Sequence, residues 1–171
     1  MKNKYEKKKM AYQITLILMA LYFSLMESII PKPFPWMRIG LSNISTIIGM
    51  RKFGFKFGLE ILILRILINS IMLGTFLSPT FIISILSGIV GVGVMGIFMR
   101  YQKSFSTIAI STIAGITHNM MQLLVVYYLF FNNINVMERG ILVFIFFFLL
   151  FGTISGLIVG IFAEKFRIEE R

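Results

Sequence analysis

The sequence has no cysteine and no aspartate, a single histidine, and few charged residues of either sign. Without cysteine there are no disulfides, no thiolate nucleophile and no Cys-ligated metal. A lone histidine has no second imidazole with which to hold zinc. All seven acidic residues are glutamates, so no aspartate-rich motif is present to bind a hard cation such as magnesium through clustered carboxylates. Charged residues make up 14% of the chain, against about a quarter in a soluble domain. Also missing are G-x-S-x-G, H-E-x-x-H and the phosphate-binding G-x-x-x-x-G-K-[ST] loop. A chain without the last of these does not energise transport with ATP on its own.

What is present is apolar. Hydrophobic residues make up 57% of the chain and the mean hydropathy is +0.87, a composition that suits a bilayer rather than water. The formal charge of +10 does not point to nucleic acid, because the lysines are not interleaved with a polar recognition surface. They punctuate apolar runs instead. The chain reads as one all-α transmembrane domain, residues 1–171, a bundle of about six helices in the cell membrane with approximate spans 10–30, 41–53, 57–74, 79–99, 105–131 and 140–163. A cleaved signal peptide is disfavoured at the start, since the first apolar run is too long and ends in Glu27-Ser28-Ile29-Ile30-Pro31 rather than at a small-residue cleavage site. Pro31, Pro33 and Pro35 then end the helix and stiffen the loop, and Trp36 suits an interface. The second segment is short for a span.

Orientation follows from the basic residues. With both termini cytoplasmic, thirteen of the seventeen lysines and arginines fall on inner segments, while Lys32, Arg38 and Arg139 fall outside. Arg65 alone lies within a span. So one-sided a distribution satisfies the positive-inside rule, whereas five spans would place the basic C-terminal tail outside.

Close helix contacts in a membrane lean on small residues. Gly152, Gly156 and Gly160 form two overlapping G-x-x-x-G units on the last span, serving either packing within the chain or docking of a partner. Ser84 with Gly88, Ser87 with Gly91, and Ser111 with Gly115 repeat the spacing.

Ionisable groups inside a membrane are costly and mark cavities or partners. Arg65 and Asn69 stand one turn apart on the third span, and His118 and Gln122 one turn apart on the fifth, with Asn119 beside them. Glu60 points elsewhere on its helix. Glu27, Arg38 and Asn43 belong near the outer surface. These groups either outline a pocket open to the outside, or fasten helices together, for example through Glu27 paired with Arg38 or Arg65.

Several motifs carry a family resemblance. Glu27-Ser28-Ile29-Ile30-Pro31 and Arg38-Ile39-Gly40-Leu41-Ser42-Asn43-Ile44 resemble the first loop and second helix of the Gx transporter family, also catalogued as heptaprenyl diphosphate synthase component I. Arg65 with Gly74-Thr75-Phe76, the Ser84-to-Gly91 stretch, and Thr117-His118-Asn119 with Gln122 extend the match in order. Arg38 stands where lysine is usual, and Ser42 where alanine is. That family is similar to the substrate-binding S components of energy-coupling factor transporters. The resemblance implies a six-helix protein that captures a small molecule from outside, without a cofactor, beside a transmembrane coupling protein and ATPase subunits. In such a protein, the polar residues Arg65, Asn69, His118, Asn119 and Gln122 of the spans are expected to serve as substrate contacts, under the Pro31–Arg38 loop, which Glu27, Arg38 and Asn43 are expected to hold or gate. Arg38 and Arg65 favour an anionic group, and Glu27 is placed to neutralise one of them. S components present small residues of the first helix to the coupling protein, and here Ala20 and Ser24 have that spacing. The other name implies a membrane subunit of an isoprenoid synthase, which without aspartate is not the catalytic one.

Overall fold

The computed structural model describes residues 2–31, 37, 40–101, 105–131 and 139–169. Arg38, most of the proline-rich loop with Trp36, and the loop before the last helix lie outside the described residues. The described chain is all helical, in six elements: α1 (Lys2–Ile29), α2 (Asn43–Phe53), α3 (Phe55–Met72), α4 (Pro79–Arg100), α5 (Thr107–Phe130) and α6 (Arg139–Glu169).

Local sequence sets the boundaries. Ser78 and Ser106 cap α4 and α5, their hydroxyls accepting from the amides of Phe81 at 3.4 Å and Ala109 at 3.1 Å, and Pro79 opens α4 where its missing N–H costs nothing. Gly54 at φ +92 separates α2 from α3 with a single residue. Gly74 at φ +65 ends α3 in a Schellman motif, with Thr75 N–H donating to Ser70 C=O at 2.8 Å and Gly74 N–H to Ile71 C=O at 3.2 Å.

Four helices are long and apolar enough to cross a membrane: α1, α4, α5 and α6. The other two differ for physical reasons. At 11 residues, α2 extends only about 16 Å. With 18 residues, α3 reaches about 27 Å, but Lys56, Glu60 and Arg65 lower its apolar content. Both ends of the set extend beyond the apolar runs. The α1 helix begins within the lysine-rich start, and α6 continues to Glu169, because lysine and glutamate are good helix formers wherever solvent accepts them.

The helices form a closed circuit. α1 packs on α2 and α3, α3 on α4, α4 on α5, α5 on α6, and α6 back on α2. The short α2 touches α1, α3, α4 and α6, so it sits among its neighbours rather than at the rim. Its Ile44, Ile47 and Met50 join Leu62, Ile66, Val92, Met95, Ile110, Ala114 and Val159 in the main core cluster.

Glycines set the closest approach of backbone to backbone, and it is between α5 and α6. A Cβ at Gly156 would stand 2.7 Å from Thr112 Cα and 2.8 Å from Ser111 O, and one at Gly160 would stand 2.7 Å from Ile108 Cα. The Gly152–Gly156–Gly160 face is therefore filled by α5 of the same chain and offers no surface to a docking protein. Ala20 and Ser24 are buried too: Ala20 packs with Leu16, Phe57 and Ile61, and Ser24 bonds to Asn69. The small-residue face of α1 thus meets α3, not solvent or lipid.

The polarity of the bundle is reversed relative to a water-soluble protein. Glu27, Arg65, Asn69, His118, Asn119 and Gln122 are buried, whereas Leu18, Ile97, Phe146, Phe147, Ile154 and Ile161 are exposed. Exposed apolar side chains around buried polar ones are what hydrocarbon, rather than water, accepts.

Candidate functional site

Ser24 and Glu27 stand three residues apart near the end of α1, each 2% exposed. The Glu27 carboxylate does not pair with Arg65. It accepts the backbone N–H of Gly40 through Oε1. Gly40 lies at φ +84, a conformation that glycine reaches without strain, and its C=O accepts from Asn43 N–H at 2.8 Å. Glu27 therefore fixes the turn that leads into α2. Arg38, the other expected partner, lies outside the described residues.

Arg65 holds the other side of that turn. Its guanidinium, 5% exposed, donates through Nη1 to Ser42 Oγ and through Nη2 to Asn43 Oδ1 at 2.8 Å. Ser42 occupies the position where serine ordinarily caps a helix, yet its side chain makes no capping bond to α2, because its oxygen is turned to Arg65. One turn along α3, Asn69 Nδ2 donates to Ser24 Oγ, and the buried Asn69 Oδ1 has no donor among the described residues. Arg65 and Asn69 together tie α3 to α2 and α1.

His118 approaches from α5. Its Nδ1 lies 3.0 Å from Ser87 C=O. A carbonyl only accepts, so Nδ1 carries the proton and the tautomer is set by α4. Gly91 permits this approach, since a Cβ there would stand 3.2 Å from His118 Cβ. Gln122, one turn on, is fully buried.

Asn119 faces elsewhere. Its Nδ2 donates to Phe148 C=O at 3.0 Å, and a Cβ on Gly152 would stand 2.7 Å from that nitrogen. It ties α5 to α6.

Between these elements lies a cleft lined by Gly40, Asn43, Arg65, Ile66, Ser84 and His118. It has about 260 Å3 of empty space when its open mouth is counted, while its enclosed part is about the size of one water molecule. Of the residues expected from sequence to contact a ligand, Arg65 and His118 line it. Asn69 and Gln122 are buried on the same helices one turn further on, and Asn119 is turned away. Asn43, expected at the loop, forms part of the wall. Ser84, which sequence spacing assigned to helix packing, is also in the wall, and its Oγ donates to Thr80 C=O at 2.7 Å.

A second polar cluster joins the opposite end. Arg51 of α2 donates to Thr107 Oγ1 of α5, Thr107 donates to Glu164 Oε2 of α6, and Arg51 Nη1 lies 3.7 Å from the same carboxylate oxygen. Beside it, Lys52 Nζ lies 3.7 Å from the centroid of the Tyr12 ring. In the sequence, Arg51 and Lys52 are two of the thirteen basic residues on inner segments, and their positions carry only a topology signal. Nothing in local spacing links Arg51 to Thr107 or Glu164.

The family model for heptaprenyl diphosphate synthase component I matches residues 16–166. The chain belongs to that family. The matched segment contains the whole cleft, the α5–α6 glycine contact and the Arg51–Glu164 cluster. No curated protein and no solved structure matches the chain. A component I implies by its name a partner component in a complex, and long apolar helices suit a membrane subunit.

Proposed function

We propose that this component I family member is the substrate-capture subunit of a small-molecule importer, and that it is not catalytic on its own. In this reading all six helices lie in the bilayer as one domain. α2 is short because its neighbours shelter it, and both termini are cytoplasmic. The lysine-rich start of α1, Arg51 and Lys52 of α2, Lys56 of α3 and Arg100 of α4 then face the cytoplasm, in keeping with the positive-inside rule. The cleft lies toward the outer half, next to the end of α1 and the start of α2.

The observation that carries this reading is the buried cleft itself. An arginine and a histidine are enclosed within a bundle whose outer surface is apolar, and such groups at membrane depth mark a substrate path. The sequence contains no ATP-binding loop, so energy would come from a coupling membrane protein and ATPase subunits. Because the glycine face of α6 and the Ala20–Ser24 face of α1 are used within the chain, the coupling protein would meet a different face.

The family name favours a second reading, a non-catalytic membrane subunit of heptaprenyl diphosphate synthesis. Purification of the tagged protein from native membranes in mild detergent, with mass spectrometry of what accompanies it, separates the two. A coupling membrane protein with two ATPases supports the importer. A prenyl diphosphate synthase subunit without ATPases overturns it in favour of the second reading.

A further inference from the structure

We infer, independently of what the cleft binds, that the start of α1 is a binding face for anionic phospholipid, with Lys4, Lys7 and Lys8 meeting the lipid phosphates. Contacts at the end of the bundle away from the cleft gather one terminus of every helix there. Lys52 of α2 lies over the Tyr12 ring of α1, and Arg51 reaches Thr107 of α5 and Glu164 of α6. Phe98 of α4 meets Phe105 just before α5, with ring centroids 5.1 Å apart, and α3 follows α2 after one residue. The segments gathered there carry thirteen lysines and arginines in the sequence, against five glutamates: Glu6, Glu60, Glu164, Glu169 and Glu170. Even with every one of those glutamates engaged, this end stays cationic and complementary to phosphate headgroups.

The start of α1 is where that charge meets lipid. α1 is a single helix of 28 residues, about 42 Å long. That exceeds the hydrocarbon core of about 30 Å and matches the roughly 40–45 Å of a bilayer with its headgroups. The apolar run opens at Met10, so Lys4 stands about 9 Å further along the axis, at headgroup depth. Lys4, Lys7 and Lys8 are exposed and share one face, at i, i+3 and i+4. Their face continues a lipid-facing stripe. Ile14 follows Lys7 by two turns, Leu18 and Tyr22 follow at one turn each, and all three are exposed. Leu16, Ala20, Ser24 and Glu27, on the opposite side, are buried. The lysines therefore prolong the side against which hydrocarbon lies, with their ammonium groups in the phosphate layer and their stems on apolar surface. Lys9 turns toward the bundle instead, its Nζ 6.0 Å from the centroid of the Phe53 ring. An orientation signal needs only the charges; a rigid helix in register with the lipid-facing stripe also fixes where they stand.

The test uses the full-length protein in detergent, titrated with phosphatidylglycerol or phosphatidylcholine, with each bound lipid resolved by native mass spectrometry. Phosphatidylglycerol should bind about tenfold to a hundredfold more tightly, since each lysine near a phosphate contributes about fivefold. The triple variant Lys4→Gln, Lys7→Gln, Lys8→Gln should lose that preference by at least about tenfold, whereas the corresponding triple change to arginine keeps it. Arg100→Gln with Lys165→Gln, which removes two exposed charges from the same end of the bundle but not from α1, should leave it nearly intact. If the glutamine triple fails to fold, as read by its thermal midpoint, Lys7→Gln alone should still lower the preference about fivefold. Equal binding of the two lipids overturns the inference. So does a preference that survives the glutamine substitutions, or one that falls equally in the Arg100–Lys165 pair. A short oligonucleotide that binds as tightly as phosphatidylglycerol would make the face a general polyanion surface and overturn it as well.

Discussion

Arg65 in the middle of α3 donates to Asn43 Oδ1 at 2.8 Å, so the first residue of the short α2 helix is fixed by a charge buried in the bundle. With Ser42 Oγ as the second acceptor, this makes the start of α2 depend on α3 rather than on a cap of its own. The same pair stands in the wall of the cleft, which couples the position of α2 to whatever occupies it.

Asn43→Ala should cost about 1–2 kcal/mol through loss of a charge-assisted hydrogen bond in a buried setting. Arg65→Ala should cost more, about 3 kcal/mol, since it leaves Ser42 and Asn43 oxygens unpaired as well. Thermal unfolding in detergent checks both. Equal, negligible shifts would show that the link is dispensable.

Among the described residues, Glu27 acts as a hydrogen-bond acceptor for the Gly40 amide and forms no ion pair. Glu27→Gln keeps an acceptor for the Gly40 amide and should shift stability by less than about 1 kcal/mol, while Glu27→Ala leaves that amide unsatisfied and should cost about 1–3 kcal/mol. Equal losses in the two variants would instead point to the charge.

Substitution of two glycines should give opposite results. Gly156→Ala drives a methyl into Thr112 Cα and Ser111 O, backbone atoms that cannot rotate aside, and should destabilise by about 1–3 kcal/mol. Gly93→Ala meets nothing within 4 Å and should be neutral or stabilising by up to about 1 kcal/mol from helix propensity. Midpoints of the two variants measured side by side check the α5–α6 packing.

The Arg51–Thr107–Glu164 cluster is partly exposed, with side chains at 17% for Arg51 and 30% for Glu164. Its ion pair should therefore contribute only about 0.2–1 kcal/mol and weaken with salt. A double-mutant cycle on Arg51 and Glu164 at low and high salt measures this. A coupling well above that range would show that the cluster excludes water.

Much of the helix layout was legible because apolar runs bounded by glycine, proline and basic residues leave few alternatives. The extensions of α1 and α6 were not, since hydropathy falls at the lysines although helix propensity does not. Arg65 and His118 stood out because ionisable groups are rare in such runs. Asn119 misled because it neighbours His118 in sequence, but one residue turns a side chain by about 100° around a helix, here onto α6. Ser84 was read from its spacing to Gly88, which serves packing and leaves the hydroxyl edge at the cleft unforeseen. The Arg51–Glu164 contact joins distant segments, and no local period encodes it.

Capture from outside requires the cleft end of the bundle to face outward. The cysteine-free chain makes a clean background for single-cysteine labelling. Ser28→Cys lies at the exposed end of α1 beside Glu27, and Tyr101→Cys at the exposed end of α4. A membrane-impermeant maleimide should label Ser28→Cys in intact cells and Tyr101→Cys only after permeabilisation. The reverse pattern would place the cleft on the cytoplasmic side and contradict capture from outside.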